Sequence, residues 1–529
     1  MLFLNKPPDA EGSARPAIIM GIFVAFGGIL FGYDTGTIGG ILAMDYWVKR
    51  FATDINASGE KYITTGQQSL VVSMLSVGTF FGALGGAQLG DWIGRRWGLI
   101  AACVVFTVGV VMQTIATAVP LFTAGRTIAG FGVGLISVLI PLYQSECAPK
   151  WIRGTIVSAY QFFLTFGLLL AAVVNNATHN RNDSGSYRIP VIIQALWAVI
   201  LAGGIMFLPE TPRYFVKNGE MEKATHSLSR LRSLPTDSQS IKDELAEIVA
   251  NHEYELSLGG SGWKDIFQSA GRQRRRLLTG MGIMAGSQLT GINFIFYYGT
   301  VFFKNSGIEN PFLIGLTTNL VNVVSTVPGL WLVEKWGRRP ILLWGAIGMT
   351  VCEFVVAIVG VTTESDIANK VLIAFVCFYI FFFAISWGPV GWVVIGENFS
   401  LRFRAKSVAM SVASNWIFNW AIGYATPYLV DEGPGSAGLK AKVFFIWGIC
   451  CFGCALFVYF CIFETKGLTL EQIDELYERC DKAWDSTKFT PSLRFQEEVH
   501  KGSVIQSEDV EKFRAHVAEK RASISEVPA

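Results

Sequence analysis

Charge is scarce in this chain. Only 16% of its 529 residues are Asp, Glu, Lys or Arg, against about 25% in soluble domains. The net charge is +2, so composition gives no reason to expect a nucleic-acid partner. Histidine is rarer still. The five histidines, at 179, 226, 252, 500 and 516, all fall outside the long apolar runs. Any proton path through those runs must therefore use carboxylates. None of the nine cysteines falls in a loop expected on the outer side, so no structural disulfide is expected. Cys450, Cys451, Cys454 and Cys461 share one run and read as small apolar packing. The sequence carries no nucleophile–base pair, phosphate loop or metal-ligand spacing. It points to no enzyme, no metal and no cofactor. The first apolar run is too long for a cleavable signal peptide and is expected to stay as a span.

Apolar residues are abundant: 51% of the chain, with mean hydropathy +0.42 and 55 glycines. A bilayer core needs roughly 20 apolar residues in a helix. Such runs lie near 17–41, 68–89, 98–118, 121–142, 154–175 and 189–208. Six more lie near 277–303, 311–333, 340–361, 371–395, 405–429 and 442–463. The fold class is an all-α membrane protein with 12 transmembrane helices in two six-helix halves. Gly78–Gly90 and Gly125–Gly134 fit close helix contacts. The expected organisation is a short N-terminus (1–16), a first half (17–210), a helical linker (211–276), a second half (277–464) and a C-terminal helix with a polar tail (465–529). Lys and Arg gather in the loops after spans 2, 4, 8 and 10 and in the linker. Both termini are therefore expected in the cytoplasm. The sequons at Asn56, Asn176 and Asn182 then fall outside, with Asn56 and Asn182 the glycosylation candidates. The sequon at Asn398 falls inside and should stay bare.

The charges that remain are written twice. Asp91 with Arg95 and Arg96 returns as Glu334 with Arg338 and Arg339. Glu146 with Arg153 returns as Glu397 with Arg404, and Glu210-Thr211 as Glu464-Thr465. Each repeat follows about 250 residues later, which marks a duplicated unit with a site between its halves, the plan of a secondary transporter. These groups are expected to pair across the cytoplasmic ends of the two halves when that side is closed, forming a gate that biases one of two conformations. Three charges sit inside spans: Asp34, Arg126 and Glu353. An intramembrane carboxylate is a functional candidate. Asp34 has Arg126 as a candidate partner, either as a structural ion pair or as a proton-coupling switch. Glu353 has no evident partner and reads as a packing or lipid-edge group.

Several motifs resemble the sugar porters of the major facilitator superfamily, most of all fungal hexose transporters. They run in order from residue 27 to about 477: Gly32-Tyr-Asp34-Thr-Gly36, Gly125-Arg126, Pro209-Glu-Thr-Pro-Arg213, Gln288-Leu-Thr-Gly-Ile-Asn293, Phe296-Tyr-Tyr-Gly-Thr300, Gly388-Pro389 and Glu464-Thr-Lys-Gly467. The resemblance implies a monosaccharide site built from Gln161, Gln288, Asn293, Tyr297, Asn322, Trp392, Asn415 and Trp416. Asn419 is a further donor one turn after Asn415. Ser287 stands where the family has a first glutamine. Amides both donate and accept, as sugar hydroxyls do, and tryptophan can stack on a pyranose face. Asp34 matches the acidic position of proton-coupled members. The implied protein is a monomeric, multi-pass glycoprotein of the plasma membrane, with hexose, proton and lipid as partners. A passive facilitator and a transporter-like sugar sensor are the alternatives.

Overall fold

The computed structural model describes residues 13 and 15–490 except 56–58, 60, 150–152, 258–264, 268–271, 307–309, 363–364, 401–402, 433–434 and 469. The first half opens with α1 (Arg15–Ala25) and α2 (Gly27–Ile41), which run on as one rod, and the short α3 (Asp45–Phe51). A small antiparallel hairpin of β1 (Asp54–Ile55) and β2 (Lys61–Tyr62) sets Asp54 opposite Tyr62. Then come α4 (Thr65–Ile93), α5 (Arg95–Ile115), α6 (Val119–Cys147), α7 (Arg153–Thr178) and α8 (Gly185–Ile205). Three linker helices follow, α9 (Pro212–Lys217), α10 (Met221–Arg232) and α11 (Gln239–Ser257). The second half holds α12 (Gln273–Leu289), α13 (Ile292–Asn305), α14 (Pro311–Trp336), α15 (Arg338–Thr362), α16 (Asp366–Ile385), α17 (Trp387–Glu397), α18 (Arg404–Val430) and α19 (Val443–Cys461). The short α20 (Leu470–Arg479) follows, and a 3-10 turn at Ala483–Lys488 comes after it.

Ten helices among the described residues are long and apolar enough to cross a bilayer. The other two expected spans are helical as well, and they fall short for identifiable reasons. Span 7 is cut into α12 and α13 at Gly291, whose φ is +83°. A side chain there would strain the backbone and also meet the Trp447 ring at 2.6 Å. Span 11, α18, carries Arg404, Lys406, Asn415 and Asn419 besides Ser407, Ser411, Ser414 and Thr426.

The duplication read from the charges is present in the packing. In the first half, span 1 packs on span 5, span 2 on span 4, and span 3 on spans 4 and 6. In the second half, span 7 packs on span 11, span 8 on span 10, and span 9 on spans 10 and 12. The halves meet through α2 on α13, α4 on α18 and α7 on α14, a set of contacts that maps onto itself when the halves are exchanged. The glycine-rich stretches make the closest seam. Any Cβ at Gly78, Gly82, Gly130 or Gly134 would strike backbone between α4 and α6. Large apolar side chains such as Trp92, Val104, Phe207, Trp344 and Ile367 point outward, the reverse of a water-facing surface and the arrangement lipid requires.

The bundle has two ends. The β hairpin marks one, called here the hairpin end. The linker helices and the repeated charges mark the other, the linker end. All nine cysteines are free. Glu353 is 1% exposed between helices of the second half, beside Cys451. It packs inside the half and does not reach a lipid edge. Asn398 is also 1% exposed; its amide donates to Arg276 O, and Tyr477 donates to its Oδ1. That sequon is therefore a structural bridge between the start of α12 and α20.

Candidate functional site

The break after α12 turns a row of amides toward the middle of the bundle. Gln288 closes α12 and Asn293 opens α13, and the Asn293 amide donates to Gln288 Oε1. Gln288 Nε2 donates to Asn415 Oδ1 at 3.1 Å, and Asn419 Nδ2 donates back to Gln288 Oε1 at 3.3 Å. Asn419 Oδ1 then accepts from Tyr297 at 3.2 Å and from Ser76 at 2.6 Å. Gln288, Asn293, Tyr297, Asn415 and Asn419 are each under a tenth exposed. Burying so many amides is costly unless each is satisfied, and here they satisfy one another. The chain also joins the halves, since Ser76 belongs to α4.

The other expected members differ in burial. Asn322 is 3% exposed on α14. Trp416 is buried with its ring 5.4 Å from Phe31 of span 1. Trp392 keeps more than a third of its surface open. Gln161 is half-buried on α7, and no described hydrogen bond ties it to the amides. Ser287 lies on the same turn, 8% exposed. Ser76 was not anticipated. Its signal was available in the spacing of Ser69, Ser73, Ser76 and Thr79, which puts one polar stripe on an apolar helix.

A second buried group lies within the first half. Arg126 Nη1 meets Asp34 Oδ1 at 3.2 Å, and both side chains are at most 1% exposed. That is one contact where a bidentate fork was possible. Asp34 Oδ2, Arg126 Nε and Nη2, and both amide atoms of Gln113 and Gln194 are buried without a hydrogen-bond partner. Gln194 of α8 sits beside Asp34. The pair is therefore under-satisfied on both sides. Unmade hydrogen bonds of this kind are what a rearrangement can recover.

At the linker end the repeated charges form the same device twice. Glu210 accepts from the backbone N–H of Arg95 and Arg96 at 3.1 and 2.9 Å, capping the start of α5. Glu464 accepts from those of Arg338 and Arg339 at 3.0 and 3.1 Å, capping α15. A carboxylate at a helix N-terminus meets unpaired N–H groups and the positive end of the helix dipole. Gly94 and Gly337, with φ of +90° and +97°, make room, since a Cβ at either would run into the carboxylate. Burial still pushes Glu210 above the usual carboxylate range, against those N–H bonds. Arg95 then pairs with Glu146 at 3.0 Å, and Arg338 grips Glu397 through two nitrogens at 2.7 and 3.1 Å.

The pairing across the halves expected for a closed cytoplasmic side is not made in this conformation. Each ion pair among the described gate residues stays within its own half, and Arg404 donates to Gly396 O. The side chains of Arg153 and Glu334 lie outside the described residues, as does Asn56. The physical reason is conformational. Described hydrogen bonds and ion pairs that join the halves lie between the central amides and the hairpin end. They are Ser76–Asn419, Ser69 to Tyr424 O at 2.7 Å, Thr65–Ser436 at 3.3 Å, and Lys304 to Ala43 O and Asp45 at 2.8 and 2.7 Å. With that end drawn together, the charges at the other end close on their own half. The hydrogen bond from Lys304 holds the Asp45 carboxyl below its usual range. Asn182 is exposed at the hairpin end.

Comparison with known proteins follows this geometry. The family model described as "Sugar (and other) transporter" matches residues 20–477. The major facilitator-type transporter ecdD of Aspergillus rugulosus is 58% identical over 94% of each chain. The probable glucose transporter rco-3 of Neurospora crassa is 50% identical over 93% of this chain and 84% of its own. The high glucose sensor RGT2 of Saccharomyces cerevisiae is 43% identical over 93% of this chain and 64% of its own. Among solved structures, the proton:xylose symporter XylE bound to 6-bromo-6-deoxy-D-glucose superposes with a TM-score of 0.73 at 27% identity, covering 88% of this chain and 100% of that one.

Proposed function

This chain belongs to the sugar (and other) transporter family, and on that premise we propose that it carries a hexose, glucose first, across the plasma membrane by alternating access, with a proton bound in the same cycle. It is a multi-pass sugar transporter of the major facilitator superfamily and not an enzyme. The observation that carries the substrate reading is the amide chain Asn293–Gln288–Asn415/Asn419 with Ser76 and Tyr297. Its groups bond to one another and can exchange those partners for sugar hydroxyls at small net cost. The chain crosses the interface, so a sugar that replaces the Ser76–Asn419 bond would loosen the halves as it binds. Two glucose-named relatives support a hexose over other polyols.

Coupling rests on Asp34 and Arg126. Protonation of Asp34 would release Arg126 to groups it now leaves unmet, and the two protonation states would favour different packings of span 1. The structural similarity to a proton:xylose symporter supports the same reading. The linker end faces the cytoplasm in this proposal, with both termini, because its loops hold the Lys and Arg. Asn182 and Asn56 are then the outer glycosylation sites, and the transporter works as a monomer with its pocket at its own pseudo-twofold axis. The pairs Arg95–Glu146 and Arg338–Glu397, with Arg96, Arg153, Glu334, Arg339 and Arg404, set the balance between conformations at the cytoplasmic side.

The sensor relative favours one other reading, in which sugar binding signals and flux is incidental. Radiolabelled glucose uptake in a transporter-null yeast separates them. The symporter accumulates sugar, alkalinises the medium, and loses accumulation with a protonophore. Uptake indifferent to the protonophore makes it a facilitator. Absence of uptake of any monosaccharide, with the protein at the surface, would support the sensor.

A further inference from the structure

Between the amides and the hairpin end lies a crevice lined from both halves by Gly36, Asn175, Phe296, Thr300, Thr318 and Asn319. The crevice is narrow, with room for roughly a water or two and none for a sugar ring in this conformation. Its walls carry two unmet acceptors. Asn175 is 3% exposed; its Nδ2 holds Gly36 O and Thr37 O at 3.2 Å each, while its Oδ1 has no partner. Asn319 is 8% exposed; its Nδ2 donates to Gly315 O at 2.7 Å, and its Oδ1 has no partner either.

These two amides line the same crevice from α7 and α14, the pair of helices that pack across the interface. Each spends its N–H on backbone, and each keeps a buried carbonyl for a donor from elsewhere. Leaving a buried acceptor unmet is unfavourable. The donors that would satisfy both are O–H groups, from water or from a polyhydroxyl ligand. A rocking motion that parts the hairpin end would widen this crevice first, because its two walls belong to different halves.

We infer that Asn175 and Asn319 form an outer subsite that receives two hydroxyls of a monosaccharide before it reaches the central amides. This rests on the sugar-transport reading. The subsite lies on the hairpin-end side of the central amides. It therefore acts on sugar arriving from that end and leaves sugar arriving from the linker end to the central site alone. Asn319 is the residue to change, since Asn175 also braces span 1. Wild-type, Asn319→Leu, Asn319→Asp and Asn322→Ala proteins would be reconstituted in vesicles and sorted by orientation, and KM for glucose measured from each side. Loss of one hydrogen bond predicts a rise of about 3- to 10-fold in KM from the hairpin end for Asn319→Leu, with KM from the linker end unchanged. Asn319→Asp, which keeps an acceptor, recovers most of the difference. Asn322→Ala raises KM from both sides. Equal rises from both sides in Asn319→Leu, or no rise at all, would overturn the subsite and leave waters as the crevice's only occupants. If wild type carries no sugar, it is the transport reading that fails.

Discussion

The Ser76 hydroxyl donates to Asn419 Oδ1 at 2.6 Å, from one six-helix half to the other, at the depth where the sugar amides gather. One hydrogen bond thus belongs both to the proposed substrate site and to the contact that keeps the hairpin end shut. Ser76→Ala removes it and leaves Asn419 with Tyr297. A net loss of about 1 kcal/mol shifts the conformational balance roughly 5-fold toward opening at the hairpin end. Distances between spin labels at Ala52 and Ser306 report it. A distribution identical to the parent would mean that the bond contributes nothing to closure.

Gln288 is the hub of the amide chain, touching Asn293, Asn415 and Asn419. Gln288→Ala and Asn293→Ala each leave buried partners unpaired, at a cost of ~1–3 kcal/mol, or about 5- to 150-fold in apparent KM. Surface expression should hold. Uptake kinetics like the wild type in both variants would move the sugar site elsewhere.

Asp34 and Arg126 share a single 3.2 Å contact. Asp34→Asn cannot ionise. Accumulation against a gradient should disappear in this variant, while exchange of labelled for unlabelled sugar persists. Retained accumulation would reduce the pair to a structural brace.

Asp45 and Lys304 join the halves at the hairpin end, with Asp45 three-quarters exposed. The hydrogen bond from Lys304 holds the Asp45 carboxyl below its ordinary value of 3.8 against the opposing effect of partial burial, with Lys304, Lys49 and His179 adding as neighbouring charges. Its pKa is lower in the closed state, so the pair favours closure above pH 3.8 and stops doing so as pH falls through the lowered value. At this exposure it contributes under about 1 kcal/mol. Acidification below about pH 4 should therefore raise the open fraction in the parent by no more than about 5-fold. Asp45→Asn should be raised already at neutral pH and flat below it. The same spin-label pair measures both, and a variant that still responds to acid would assign the effect to other groups.

The sequence displayed its spans through apolar length, and the linker helices through short amphipathic stretches, seen as α10 and α11 with the break at Pro235 where expected. The amides of spans 7 and 11 were legible because family motifs fixed their positions. Three features were not. Ion pairing within a half or between halves depends on which end of the bundle is closed, and both arrangements use the same residues. Ser76 became part of the site through a contact 343 residues away in sequence. Glu353 had no partner visible in its own helix because its neighbour, Cys451, lies on another span.

The cut at Gly291 makes span 7 a lever with its fulcrum at the buried amides Gln288 and Asn293. The upper arm, α13, has 14 residues, or about 21 Å at 1.5 Å each. A tilt of about 10° at the fulcrum would carry its tip roughly 4 Å over that length. Lys304 sits at that tip, gripping Ala43 and Asp45. Sub-ångström adjustments of Gln288 and Asn293 around a hydroxyl are thus magnified several-fold where the halves meet. Only glycine fits at that fulcrum, where a side chain would strain the backbone and strike Trp447.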